Sequence, residues 1–509
     1  MAVATELCWA GMTHSAPHPK RPEHYDVIVV GAGISGIDTA WRLQERRPGT
    51  RYLVLEARER MGGTWDLFRY PGIRSDSDIA TFAFPFRPWP GEHALASGEQ
   101  IKAYVEDTAT QAGITEHIRF GTRVRAVRWC SRSQVWTVDA DGPAGARTMT
   151  CAFLHLAAGY YDYSAGYQPD FPGRDDFAGR FVHPQHWPPD LDVDGLDVVV
   201  IGSGATAMTL VPALGRTAAK VTMVQRSPSW VASMPGRDPW ARRFGRWLPA
   251  AAASRATRVA NIVMSQATYT LARRYPERFG RTLRSTLRRD LPDEGYLDEH
   301  FTPDYPPWDQ RVCRIPDGDL TRAITEGRAT VVTGAIDTLT ADGIRLRDGA
   351  TVRADVVVSA TGLSLLLLGG CSLVVDGEEV DVSSRVAYRG LMLERVPNLT
   401  FTVGYTNASW TLRADLVARY LCRLLAMMDR RGYAVATPAA APAGPRRPLI
   451  DLKSGYVMRA LDQLPQLGAR RPWTFVQNYL LEAPELLYGR VTRDLSLTPR
   501  SAHPGAEPC

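Results

Sequence analysis

Residues 25–60 read YDVIVVGAGISGIDTAWRLQERRPGTRYLVLEARER, and this stretch decides the fold. Residues 27–30 form a continuous apolar run, as a strand buried on both faces requires. Gly31-Ala-Gly33-Ile-Ser35-Gly36 follows at once, then a helix with apolar Ile37, Ala40 and Leu43 on one side. A second apolar run, YLVLE, ends in Glu56 twenty residues past Gly36. Gly31 suits a tight turn, Gly33 lets backbone amides approach a pyrophosphate, and Gly36 lets the helix pack closely on the strand. The helix N-terminus favours the phosphate charge, and Glu56 stands where it can accept hydrogen bonds from a ribose diol.

The same logic recurs at 196–214, LDVVVIGSGATAMTLVPAL, with Gly202, Ser203, Gly204, Ala205, Thr206 and Ala207 in the turn. The next strand, KVTMVQRSPSW, ends in Arg226 and Ser227 instead of an acid. An acid there repels a 2′-phosphate and an arginine pairs with it. An acid-ended cradle followed by an arginine-ended one points to FAD plus NADPH, with hydride passing between them. ATVRADVVVSATG at 350–362 reads as a strand leading back to the first half, and VPNLTFTVGYTNAS at 396–409 as a late strand and loop of that half. The expected fold class is α/β: two Rossmann-like dinucleotide-binding domains, for FAD and NADPH, with a helical insertion. The expected division is a disordered leader over 1–23, a discontinuous FAD domain over 24–180 and 363–498, an NADP domain over 181–362 with its helical insert at about 235–300, and a tail over 499–509.

Composition agrees with two or more cores: 509 residues exceed what one hydrophobic core organises, and 45% hydrophobic with 22% charged residues is ordinary for a globular chain. No apolar run approaches the roughly 18–20 residues a bilayer span needs, and the N-terminus lacks the pattern of a secretion signal. Seven scattered cysteines without CxxC spacing argue for a reducing, cytoplasmic setting and against a zinc ribbon or a redox-active disulfide. The net charge of +6 is concentrated: thirteen arginines fall within 237–289, against Asp238 and Glu277. The plainer reading is a solvated helical face, the other a contact with membrane phosphates or a partner. Nothing points to nucleic acid, and the oligomeric state is not legible.

Two further stretches carry chemistry. FAGRFVHPQHWP (177–188) fits F-x-G-x-x-x-H-x-x-x-W-P, and GGTWDLFRYPGIRSD (62–76) fits G-G-x-W-x-x-x-x-Y-P-G-x-x-x-D. Together they resemble the fingerprints of type I Baeyer–Villiger monooxygenases, class B flavoprotein monooxygenases. With PPWDQRVC, SATGL and VGYTNASWTLRADLV in the same order, the chain is similar to the actinobacterial ethionamide-activating members from about residue 24 to about 490. The resemblance implies Arg311 as the active-site arginine and Asp76 as its acidic partner. It also implies Gly63, Thr64, Trp65, Asp66 and Leu67 as flavin-side contacts, Val124 as the adenine's backbone support, and Arg74 and Ser75 at the nicotinamide end of NADP. Two residues depart from the pattern: Gln310 stands where many members have a lysine for the 2′-phosphate, and Arg314 where the ethionamide-activating relatives are apolar.

The chemistry so implied is NADPH reduction of FAD, addition of dioxygen at the flavin C4a to give a peroxide, and insertion of one oxygen beside a ketone carbonyl. A nucleophilic, anionic peroxide needs a permanent cation nearby, which arginine supplies at any relevant pH. A protonated peroxide instead oxidises sulfide, thiocarbonyl sulfur or amine nitrogen, so S- or N-oxygenation is the alternative. A peroxide-leaking oxidase and a non-catalytic flavin redox sensor are more remote. His183 and His186 are spaced H-x-x-H without a third ligand, so no metal is expected. His183 is expected instead to couple movement of the nicotinamide domain to the flavin site. Trp410 is equally compatible with core and pocket.

Overall fold

The computed structural model describes residues 22–500. The apolar run at 27–30 belongs to strand β1 (Glu23–Val30), followed by helix α1 (Ile34–Arg46) and strand β2 (Tyr52–Leu55). β1 pairs in parallel with β2 on one side and with the end of strand Gly145–Leu156 on the other. The sheet has nine strands. Its parallel part is completed by Ile118–Arg119 beside β2 and by Leu399–Phe401 beside Gly145–Leu156. An antiparallel meander, Arg123–Cys130 and Val135–Gly142, extends it from Gly145–Leu156. This sheet therefore draws strands from both ends of the sequence.

The second sheet has five strands, all parallel, in the spatial order Ala329–Thr333, Lys220–Gln225, Asp197–Ile201, Val356–Ser359, Arg180–Val182. Its central strands are continuous apolar runs because both faces are covered. The helix Ala205–Leu214 packs on it and buries Leu210, Val211 and Leu214. Both sheets are thus of the Rossmann type expected from the two glycine turns. The helical insertion is formed by Pro239–Gly245, Ala250–Arg274, Pro276–Leu287 and Glu294–Phe301. Among the described residues, no helix is long and apolar enough to cross a membrane.

Three expectations need correction or restriction. The leader expected over 1–23 lies outside the described residues up to 21, but Glu23 already opens β1. The tail expected over 499–509 lies outside them from 501. Pro499 still belongs to a strand, Leu495–Pro499, and the Arg500 amide donates to the Gly432 carbonyl. Cysteine usage does not support an inference about compartment. Cys151, Cys313, Cys371 and Cys422 are free thiols, but Cys130 is disulfide-bonded.

His155 sits fully buried where the first sheet meets α1, its ring nitrogens within hydrogen-bond reach of Thr400 (2.9 Å) and Thr39 (3.1 Å). Burial lowers its pKa to about 3. Between that value and the ordinary one near 6.5, the unfolded chain binds a proton that the folded chain cannot. Stability therefore rises with pH across this window and is lost as pH falls. The contribution is at most about 1.4 kcal/mol per pH unit. Chemical denaturation of His155→Gln beside the wild type, between pH 6.5 and pH 4.5, should show a shallower loss in the variant.

Candidate active site

The glycines of both turns are held by sterics. Gly31 has φ +106°, and a Cβ there would lie 2.8 Å from the Ala157 carbonyl oxygen; one on Gly36 would lie 1.8 Å from the Gly31 oxygen. Gly202 has φ +130°, with the Ala360 oxygen 2.4 Å from its would-be Cβ. Gly33 and Gly204 cap the helices that follow, and the space around Gly204 is open. The turns are pressed onto neighbouring strand ends, and residues of both line a common space.

That space is a single cavity of about 1490 Å³. Its walls are residues that follow the carboxyl ends of strands in both sheets, where ligands of open α/β sheets bind. Gly31, Gly33, Ser35, Glu56, Gly63, Thr64, Trp65, Arg74, Ser75, Asp76 and Val124 line its first part. Gly202, Ser203, Gly204, Ala205, Thr206, Arg226, Ser227 and Arg311 line its second. Glu56 is buried, accepting from the Ala32 amide (2.7 Å) and the Arg58 amide (2.9 Å), and burial raises its pKa. The Ser203 hydroxyl bonds to the Ser227 carbonyl (3.1 Å) and to the Ser229 hydroxyl (2.9 Å), joining the second turn to the strand end that carries Arg226. Arg226 itself is exposed and makes no ion pair among the described residues.

Segment 62–76 spans the two cradles. At its start, Gly63 lies against Gly33, with a would-be Cβ 3.1 Å from the Gly33 Cα. Farther along, Gly72 (φ +80°) lies against the second-cradle helix, its would-be Cβ 2.5 Å from the Thr209 carbonyl oxygen. The segment ends at Asp76, which binds Arg311 through two contacts, Nε to Oδ2 at 2.9 Å and Nη2 to Oδ1 at 3.0 Å. The residual exposure of Arg311 is toward the cavity it lines. The Asp76 carboxylate raises its pKa further, against the effect of burial. The loop carrying Arg311 is fixed through Asp309, which accepts from Arg273 (2.6 Å) and Lys453 (2.9 Å).

Some expected residues stand elsewhere. Asp66 is buried away from the cavity and binds Arg58 (2.6 Å) and Lys102 (3.0 Å); it holds Arg58, which does line the cavity. Leu67 is packed into the core of the second sheet. Gly36 and Ala207 are packing positions behind the turns. His183 also lies off the cavity wall: its Nδ1 accepts from the Gln185 amide (3.2 Å), and Gly166 presses on the ring. Gln185 donates to the Asp162 carbonyl (2.8 Å), and the His186 ring meets the Ser164 carbonyl (3.1 Å). The stretch is thereby tied to the loop leaving the first sheet. Among the described residues, no three His, Cys, Asp or Glu side chains converge as a metal site.

Other lining residues were not singled out. Tyr160, Tyr161 and Tyr456 line the cavity, and the charge of Arg311 acts on all three. Burial raises their pKa values, so they remain protonated donors. The only signal was the doubled tyrosine in GYYDY, just past a strand end. Trp410 is a wall residue; its Nε1 donates to the Ser35 hydroxyl (2.8 Å) and its ring packs on Tyr160. Arg347 is exposed on the same wall as Arg226. Its amide donates to the Ala335 carbonyl, and the adjacent Gly334 amide to that of Gln225, both at 2.9 Å. Gln310 and Arg314 line the cavity too.

Residues 24–240 match the flavin-binding monooxygenase-like family, and the chain belongs to that family: it is a flavin-dependent monooxygenase. It is 49% identical over 472 residues to the FAD-containing monooxygenase EthA of Mycobacterium tuberculosis (strain ATCC 25618 / H37Rv), covering 92% of this chain and 96% of that protein. It is 44% identical over 466 residues to the probable FAD-binding monooxygenase AlmA of Acinetobacter sp, covering 91% and 93%. Among solved structures, an oxidised steroid monooxygenase bound to NADP superposes with a TM-score of 0.72 at 21% identity, covering 94% of this chain and 100% of that one. Cyclohexanone monooxygenase from Rhodococcus sp. Phi1, bound to NADP+, gives 0.70 at 20% identity with the same coverage.

The bridging of the cradles by segment 62–76 is directly testable. Gly72→Ala meets both the positive φ and the Thr209 carbonyl, and should cost about 2–5 kcal/mol. Gly91→Ala has a similar φ (+90°) and open space, so it should cost only about 1–2 kcal/mol. Denaturant titration of the two variants separates the contact from the backbone term.

Proposed function

We propose that this chain oxidises NADPH and inserts one atom of dioxygen beside a ketone carbonyl, the Baeyer–Villiger reaction, using FAD held in the first cradle. The observation that carries the reading is the Arg311–Asp76 pair in a cavity shared by both cradles. On this reading residues 24–180 with 363–498 form the FAD domain, and 181–362 the NADP domain. The residues present fit both groups. A cradle in which Gly31 and Gly36 tolerate no Cβ, a helix N-terminus and a buried acid suit FAD; an open Gly204 and exposed Arg226 suit NADPH. Arg74 lines the cavity with Nε and one Nη buried and without partners among the described residues, as donors awaiting a polar ligand would be.

Bound FAD supplies two-electron storage and, once reduced, reaction with dioxygen. The chain's own residues supply the rest. Gly31, Gly33 and Ser35 bind the pyrophosphate of FAD and Glu56 its ribose, while Val124 supports the adenine. Thr64 and Trp65 bound the flavin side, and Arg74 and Ser75 the nicotinamide side. Arg311 holds a fixed positive charge where anionic oxygen develops, and cannot act as an acid that would quench it. Asp76 positions the guanidinium through two charge-assisted contacts. The tyrosines, kept protonated, offer hydrogen bonds to a carbonyl oxygen. A permanent cation favours nucleophilic oxygen, hence ketones, over sulfide or amine substrates. His183 acts as a positioning residue in the link between the sheets.

Arg311→Ala should lower ketone oxygenation by about 10²–10³-fold. FAD should stay bound and NADPH should still be consumed, its electrons appearing as hydrogen peroxide. Product formation and peroxide, measured against NADPH consumed, check this; full retention of ester formation would end the proposal. Arg226→Ala should raise the KM for NADPH at least about tenfold while leaving that for NADH unchanged, and Arg347→Ala should act in the same direction. Steady-state kinetics with both nucleotides reads the difference.

A further inference from the structure

The long insert helix Ala250–Arg274 carries an apolar stripe on its exposed side as well as apolar Ala253, Ile262 and Ala272 on its buried side. Its exposed side, read in steps of four, is Arg255, Val259, Val263, Ala267 and Leu271. The buried side also takes in two polar side chains, Thr257 and Gln266. Rotation to hide the apolar side is blocked. Arg258 donates to the carbonyls of Ala80 (2.9 Å), Thr81 (3.2 Å) and Ala83 (2.7 Å), and Asn261 donates to Asp238 (2.6 Å).

Exposed apolar side chains are concentrated here. Eleven large ones are exposed among the described residues. Ten of these fall between Trp247 and Tyr275 or on the helix Tyr479–Tyr488, which packs against the long helix. Scattered exposed apolar residues need no explanation, but a contiguous group marks a contact surface. Trp247, at 83% exposure, stands out from the fold altogether.

Charge selects the partner. Within 237–289 the thirteen arginines are accompanied by one surface acid, Glu277, because Asp238 is buried; Arg273, Arg284 and Arg288 pair with acids beyond the segment. Arg243, Arg246, Arg255, Arg274 and Arg281 are exposed and make no ion pair among the described residues. A second copy of the chain is disfavoured, since a two-fold contact sets this surface against itself, arginine facing arginine. An acidic protein would answer the charge but not a helix side about 37 Å long presenting valine, methionine and leucine. An anionic bilayer surface answers both, with phosphates for the arginines and the acyl boundary for the apolar side.

We propose that the insert, with the helix Tyr479–Tyr488 beside it, docks the enzyme on an anionic lipid surface without crossing it. Co-sedimentation of the full chain with vesicles tests this, comparing phosphatidylglycerol–phosphatidylcholine with phosphatidylcholine alone. Binding is expected to the anionic vesicles only, and to weaken at about 0.5 M salt as the charges are screened. Val263→Asp with Leu271→Asp should reduce the bound fraction at least about tenfold, and Trp247→Ser should reduce it too. Both variants should keep wild-type circular dichroism and NADPH consumption, since these side chains are exposed and form no part of the cavity lining. Absence of binding to anionic vesicles would overturn the proposal, as would binding that the substitutions leave unchanged. Loss of a wild-type dimer in Val263→Asp, without vesicle binding in the wild type, would instead assign the surface to a second copy.

Discussion

The architecture depends on how closely segment 62–76 approaches the two glycine turns. Each nucleotide unit has its own strand, turn and helix, and segment 62–76 adds Leu67, Phe68 and Tyr70 to the core of the second sheet. What converts two units into one site is a peptide that touches Gly33 at one end and the Thr209 carbonyl at the other. Both contacts involve backbone, and the one at Gly72 leaves no room for a side chain. Such contacts are short and stiff, so the relative placement of the turns is set by main-chain geometry and not by adjustable side chains. Asp76 lies at the end of this peptide, and the position of Arg311 follows from it.

Electrostatics completes what the packing begins. Arg311 is approached by one carboxylate and three tyrosines, and its loop is tied down through Asp309. The cation is thereby held without being neutralised by several anions, and the neighbouring hydroxyls are kept protonated by burial. A permanent charge in a walled cavity acts more strongly than it would in water. Asp66 shows the contrast: ringed by Arg58, Arg69 and Lys102, its charge is spent on structure.

Both sheets and both turns were legible because their signals are local: an apolar run, three small residues at fixed spacing, a helix, and an acid or arginine one strand later. Arg311 and Asp76 came from motif resemblance, since no periodicity links residues 235 positions apart. Asp66 and Leu67 stand off the cavity wall for a related reason. In a four-residue helix, Thr64–Leu67, neighbours point in different directions, so membership of a motif does not say which side chains face the ligand. Tyr456 and Arg347 carry no local mark at all; only tertiary structure brings them to the cavity. His183 stands off the cavity wall, and that it caps a turn is visible only in the backbone.

The contact at Gly72 also limits how modular this enzyme is. A second nucleotide unit exchanged for that of a relative would arrive with its own helix surface at the positions of Thr209 and Ala213, where Gly72 now fits. The exchange would move the acid that serves the arginine, although neither residue had been altered. The second nucleotide unit and the Asp76–Arg311 pair are therefore one packed unit, and recombination that separates them must also transplant the peptide between them.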